Sequence, residues 1–125
     1  MEVVRKQVGG SVVLKPVGRI ELAMAEPFRA QLLDALAELV APPAAVVVDC
    51  AHLDYVSSAG LRALMIAAKE AKGRGLGLGV AALQPVVREI FAISRFDLVI
   101  ASFETVRDAF GALDPGAVEH LPGLP

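Results

Sequence analysis

The chain contains a single cysteine, Cys50, and no tryptophan. One cysteine excludes an internal disulfide and any zinc site built on two or more thiolates. Beside an apolar strand it reads as a small hydrophobe. Aromatic residues are scarce, at 5%, so the core has to be assembled from Val, Leu, Ile and Ala. Histidine occurs only as His52 and His120, which leaves few general bases. Neither charge dominates: 12 Lys and Arg stand against 14 Asp and Glu. No basic run forms a patch that would attract nucleic acid. The longest apolar stretch, Leu39 to Val48, is broken by Pro42-Pro43 and falls far short of the ~20 residues that cross a bilayer. The start, Met1-Glu2-Val3-Val4-Arg5-Lys6, lacks the pattern of a signal peptide. The expectation is a cytoplasmic protein with no nucleic-acid partner, no direct membrane insertion and no cofactor.

What is present is a regular alternation of elements. The 125 residues suit one domain. Val3–Gln7 and Ser11–Val17 read as strands joined by Gly9-Gly10, a hairpin signal. Gly18-Arg19-Ile20-Glu21 leads into a helical pattern from about Glu26 to Val40, with Phe28, Leu32, Ala35, Leu36 and Leu39 on one face. Pro42-Pro43 ends it. Ala45–Asp49 is a continuously apolar strand. A helix from about Ala59 to Lys72 follows, with Leu61, Leu64, Met65 and Ala68 at helical spacing. Leu76–Ala82 reads as a strand. Pro85–Ser94 reads as a helix with Val86, Ile90 and Ile93 on one face. Leu98–Ser102 reads as a short strand, and Glu104–Leu113 as a last helix. Strands alternating with helices imply parallel pairing. The predicted fold is α/β: one domain over residues 1–113, a mixed but mostly parallel sheet, an N-terminal β-hairpin and about four helices. The Pro/Gly-rich segment 114–125 reads as a loose tail.

The most informative stretch is Leu53-Asp54-Tyr55-Val56-Ser57-Ser58-Ala59-Gly60-Leu61. Two adjacent hydroxyls sit where apolar chain gives way to a helix. Free backbone N–H groups and the positive end of the helix dipole converge at such a point. A phosphate there would be tolerated by its own fold. One of the two serines also suits the N-cap.

Several catalytic patterns fail. A serine hydrolase wants Gly-x-Ser-x-Gly at a strand-to-helix elbow; Val56-Ser57-Ser58-Ala59-Gly60 lacks the leading glycine. His52 lies close in sequence, and His120 lies in the tail. The glycines of Gly73-Arg74-Gly75-Leu76-Gly77-Leu78-Gly79 follow a helix and enter a strand, the reverse of a phosphate loop. They read as a turn that permits close packing. Glu21, Asp49 and Asp54 could approach one another at one sheet edge, but nothing in the spacing requires it. Asp54 reads as a loop-forming residue.

The stretch Leu53–Leu61 resembles the signature of the STAS domain, found in bacterial anti-sigma factor antagonists and sulfate-transporter tails. Gly18-Arg19-Ile20-Glu21 is similar to that family's Gly-x-Leu-Asp turn, and Val46-Val47-Val48-Asp49 to its central strand. Leu83-Gln84-Pro85-Val86-Val87-Arg88-Glu89-Ile90-Phe91 resembles its x-x-Pro-x-Val-x-x-x-Phe helix start, with Phe96-Asp97 at the turn to its last strand. The likeness runs over about residues 3 to 112. It implies a non-enzymatic protein that captures an anti-sigma factor, often itself a serine kinase. The kinase then phosphorylates a serine at a helix N-terminus and ends the capture, and a phosphatase reverses the step. Laid on this chain, the phosphorylation site is Ser58, with Ser57 as rival acceptor. The partner-binding surface is Glu21, Asp54, Ser57, Ser58, Ala59, Gly60, Leu61 and Arg62. The chain departs from Asp-Ser-Ser/Thr-Gly by Ser57 for Asp and Ala59 for Ser/Thr, and Glu21 stands for Asp. Two alternatives stay open: an unphosphorylated scaffold or accessory subunit of a membrane transport complex, and a sensor in which Asp49, Asp54 and the serine pair hold an anion or nucleotide.

Overall fold

The computed structural model describes residues 1–122. Strands β1 (Glu2–Val8) and β2 (Ser11–Ile20) form the antiparallel hairpin, with Val8 opposite Ser11. Strands β3 (Ala45–Asp49), β4 (Leu53–Val56), β5 (Gly77–Ala81) and β6 (Ala101–Phe103) follow, each pairing in parallel with its neighbours. The strand order is β1-β2-β3-β5-β6, with β4 also paired to β2. The mixed, mostly parallel α/β sheet expected from the alternation is therefore the fold.

The ten-residue β2 serves two partners in succession. Its first half, Val12–Leu14, pairs with Val46–Val48. Its far end, Gly18–Ile20, pairs with β4 after a register shift at Gly18/Arg19. Between the two, the chain turns through residues 50–52, held by Cys50 N–H to Ala81 O at 2.8 Å and Gly18 N–H to His52 O at 2.9 Å. The sequence pattern ran from the Ala45–Asp49 strand into a serine loop. The structure places a four-residue strand between them. Only two of its side chains, Leu53 and Val56, are buried, too few to give a periodic signal.

Helices α1 (Ala25–Glu38) and α2 (Ser58–Gly73) cover one face of the sheet, and α3 (Pro85–Ile93) packs against β4. Helix α4 (Val106–Leu113) lies on the other face. Consecutive β3 residues serve opposite layers: Val46 and Val48 belong to the larger cluster, and Ala45 and Val47 to the cluster under α4. A strand buried on both sides has to be apolar throughout, as this one is. All five residues expected on the inner face of α1 are buried. The glycines entering β5 give the close packing expected of them: a Cβ at Gly79 would stand 3.0 Å from both Leu113 and Phe103 side chains.

Two local expectations differ. In α3 the buried residues are Val87 and Phe91, and Phe91 meets Phe96 edge-on at 5.3 Å. Of the expected stripe Val86/Ile90/Ile93, Ile90 is half-buried and packs against the core, whereas Val86 and Ile93 are turned outward, 59% and 77% exposed. Both sides of this helix are apolar, so periodicity did not select the inner one. The segment from Asp114 is not loose up to Leu121. Pro115–His120 forms a 3-10 helix with Ala117 buried. Asp114, also buried, accepts a 2.6 Å bond from the Ser11 hydroxyl, which in turn accepts the Ala45 N–H at 2.9 Å. The last three residues of the expected tail, 123–125, lie outside the described residues.

Candidate functional site

The two serines divide their roles by one residue of register. Ser57 is the N-cap of α2, in extended conformation at φ −77°, ψ 167°. Its N–H donates to Ile20 O at 2.8 Å, which ties the helix start to β2. Its hydroxyl accepts the Gly60 N–H at 3.2 Å, satisfying one of the free amides of the first turn. Ser58 is the first residue of the helix and is exposed. Among the described residues no hydrogen bond is made by its hydroxyl.

Gly60 fixes how close this helix end lies to the sheet. A Cβ there would stand 2.7 Å from Val56 Cγ2 and 2.9 Å from Ile20 Cγ2, inside the ~3.5–4.0 Å of ordinary carbon contact. Leu61 is buried beside it, and Ala59 is half-buried. The motif residues thus split into a buried pair, Gly60 and Leu61, that seats the helix and an exposed pair, Ser58 and Arg62, that faces solvent.

The surroundings come from three other elements. Glu21, at the end of β2, pairs with Arg19 Nε at 2.9 Å. The Arg19 guanidinium lies 4.4 Å from the centre of the Tyr55 ring, a cation–π contact. Asp54 is exposed on β4 and accepts from Gln84 Nε2 at 3.2 Å; the same amide also donates to Leu53 O at 2.9 Å. Leu22, in the 3-10 turn before α1, is 76% exposed. A groove of about 370 Å³ runs between α1 and α2, bordered by Leu22, Arg29, Ala59, Arg62 and Ile66. Sequence reasoning missed Arg19, Leu22, Arg29 and Tyr55. Arg19 and Tyr55 lie inside quoted motifs but at positions to which no role was given, and Leu22 and Arg29 lie outside any motif; the four enter because β2, α1 and β4 converge on the start of α2.

Other candidates are dispersed. Asp49 Oδ1 accepts the Ala51 N–H at 3.1 Å, Asp54 is engaged by Gln84, and Glu21 by Arg19. Among the described residues no three His, Cys, Asp or Glu side chains are grouped as metal ligands. His120 packs against Gly9 in the hairpin, and His52 is exposed in the turn before β4. Cys50 is buried, and its thiol is pushed up from 9.0 to about 12, by desolvation first and by the Asp49 carboxylate second. Such a thiol is not a nucleophile at neutral pH. No described helix is long and apolar enough to cross a membrane.

Comparison with known proteins agrees with this architecture. The family model described as "Mlab, STAS domain" matches residues 3–101. BtrV of Bordetella bronchiseptica, assigned to the anti-sigma factor antagonists, is 34% identical over 96 residues, 77% of this chain and 80% of its own. The anti-sigma-F factor antagonist RsfB of Mycobacterium tuberculosis is 31% identical over 112 residues, 89% of this chain and 88% of its own. The Bacillus cell fate determinant SpoIIAA, solved in its phosphorylated form, superposes with a TM-score of 0.65 at 17% identity, covering 89% of this chain and 98% of SpoIIAA. The last likeness is one of fold. With the matched region spanning most of the sheet and the start of α2, the chain belongs to the STAS family of anti-sigma factor antagonists.

Proposed function

We propose that this protein is a non-enzymatic cytoplasmic switch: it captures an anti-sigma factor on the surface around the start of α2, and phosphorylation of Ser58 ends the capture. The observation that carries this reading is the division of labour between the serines. Ser57 is engaged as the cap, whereas the Ser58 hydroxyl is exposed and makes no hydrogen bond among the described residues. The curated relatives are named anti-sigma factor antagonists, and SpoIIAA exists in a phosphorylated form. Glu21, Asp54, Ala59 and Arg62 frame the same surface, with Leu22 as its exposed apolar anchor.

The physics supports a local switch. A phosphate adds about −1.5 to −2 charges at neutral pH. The N-terminus of α2 returns roughly 0.3–1 kcal/mol of that at an exposed position, and Arg62 sits at the i+4 position on the same side of the helix. A partner packed over Ser58 has no such compensation and must desolvate a dianion. Capture therefore drops while the fold persists. In this scheme the anti-sigma factor is itself the serine kinase, and a phosphatase restores the free hydroxyl.

The test is capture of the anti-sigma factor recovered from native lysate by the unmodified protein. Ser58→Ala is expected to bind as wild type and to resist phosphorylation. Ser58→Asp is expected to bind at least about tenfold more weakly, a loss of ~1.4 kcal/mol. Equal binding by Ser58→Asp would refute the switch. A constitutive scaffold, such as an accessory subunit of a transport complex, is the second reading. It is favoured by Ser57 and Ala59 standing where the resemblance has Asp and Ser/Thr. Under it, mass spectrometry of protein from its own cells finds no Ser58 or Ser57 phosphopeptide, and a membrane transport complex is recovered instead.

A further inference from the structure

The sheet face opposite α1 and α2 is only partly covered. Helix α4 and the 115–120 turn lie over β3, β5 and the end of β1. Between them and the rest of the hairpin runs a groove of about 550 Å³, a size within the ~300–1,000 Å³ of small-molecule sites. Its floor is Val4, Val8 and Val13, and Val106 from the start of α4 forms a wall. Strand register sets Val4 opposite Lys15 and Lys6 opposite Val13. The two lysines therefore stand diagonally on this face, among the valines. Arg107, from the first turn of α4, is the third cation of the lining. Among the described residues none of the three has a carboxylate at salt-bridge distance. Asp49 is the one acidic residue of the lining among the described residues, and its Oδ1 already holds the Ala51 N–H.

We infer that this groove binds a single-chain anionic amphiphile, an alkyl carboxylate whose chain lies along the valine floor and whose head group sits among Lys6, Lys15 and Arg107. The excess of positive charge, three cations to one carboxylate, selects an anionic head. The Val106 and Arg107 N–H groups belong to the first helical turn and have no intrahelical acceptor, so they add to the attraction. The valine floor selects an alkyl tail, and the lysine stems extend its apolar surface. Among the described residues no aromatic side chain lines the groove, so a nucleotide base has nothing to stack on.

The experiment is titration of the full chain with decanoate below its micelle concentration, followed by calorimetry and amide NMR. Saturable one-to-one binding is expected, with shifts centred on Val4, Val13 and Val106. Decanol is expected to bind at least about tenfold more weakly, as is decanoate to Lys6→Glu/Lys15→Glu. Added salt should weaken decanoate and spare decanol. Should the charge-reversed protein melt early, Lys6→Gln/Lys15→Gln replaces it. Absence of saturable binding overturns the inference, and so does equal binding of decanol. Binding only to vesicles of anionic phospholipid, with none to decanoate, overturns it too by making this face a membrane-docking surface.

Discussion

Replacing Gly60 with alanine tests the seating of the switch helix most directly. The added methyl would enter at 2.7 Å from Val56 Cγ2 and 2.9 Å from Ile20 Cγ2. Both neighbours are buried, β-branched and on strands, so neither can turn aside cheaply. The start of α2 has to retreat by roughly 0.5–1 Å to restore contacts near ~3.5–4.0 Å. That retreat stretches the Ser57 N–H bond to Ile20 O, now 2.8 Å. Overpacking of this kind costs about 1–3 kcal/mol, while alanine returns at most ~1 kcal/mol of helix propensity. The net expectation is a loss of roughly 1–2 kcal/mol. The paired control is Gly111→Ala. Gly111 lies in α4, is exposed, and would place its Cβ with nothing within 4 Å. That variant is expected to gain about 0.5–1 kcal/mol. Urea melts monitored by circular dichroism read both, through shifts in midpoint at unchanged slope. The same chemical change thus carries opposite signs at two helical glycines. If Gly60→Ala is as stable as wild type or more so, the close approach does not constrain the helix, and the explanation of Gly60 fails.

Ser57→Ala removes the cap bond to Gly60 and should cost about 1 kcal/mol, while Ser58→Ala should change stability by less than ~0.5 kcal/mol; thermal melts of the pair check which serine is structural. Ser11→Ala leaves the Ala45 N–H and the buried Asp114 carboxylate without their partner, an expected loss of roughly 2–4 kcal/mol, read by denaturant unfolding. The Cys50 thiol ionises near 9.0 when unfolded and near 12 when folded. A raised folded value means that its stabilisation is complete below pH 9 and lost as pH climbs toward 12. Stability should fall by up to ~1.4 kcal/mol per pH unit in that window, and Cys50→Ala should flatten the slope.

The alternation of strands and helices was legible because each element carries its own local signal. The β-branched run of β3, the α1 stripe from Phe28 to Leu39 and the glycines after α2 all act within a few residues of themselves. The switch region was legible as a strand-to-helix junction with two hydroxyls. Which hydroxyl caps and which faces water depends on where the first helical turn begins. That is decided by the bond from Ser57 to Ile20 and by Gly60 lying against Val56, contacts between residues about forty positions apart or folded back over one turn.

The sequence by itself determined the α/β class, the order of its elements and the placing of a serine pair at the start of α2. Only the tertiary structure decided that β4 extends the edge of β2, that α3 turns Val87 and Phe91 inward rather than Val86 and Ile93, and that Asp114 folds back onto Ser11. The reason is physical: periodicity reports how apolar a face is, but not which partner covers it. Where both faces of an element are apolar, or a polar group finds its partner 103 residues away, the choice lies in packing and hydrogen bonding that no local pattern contains.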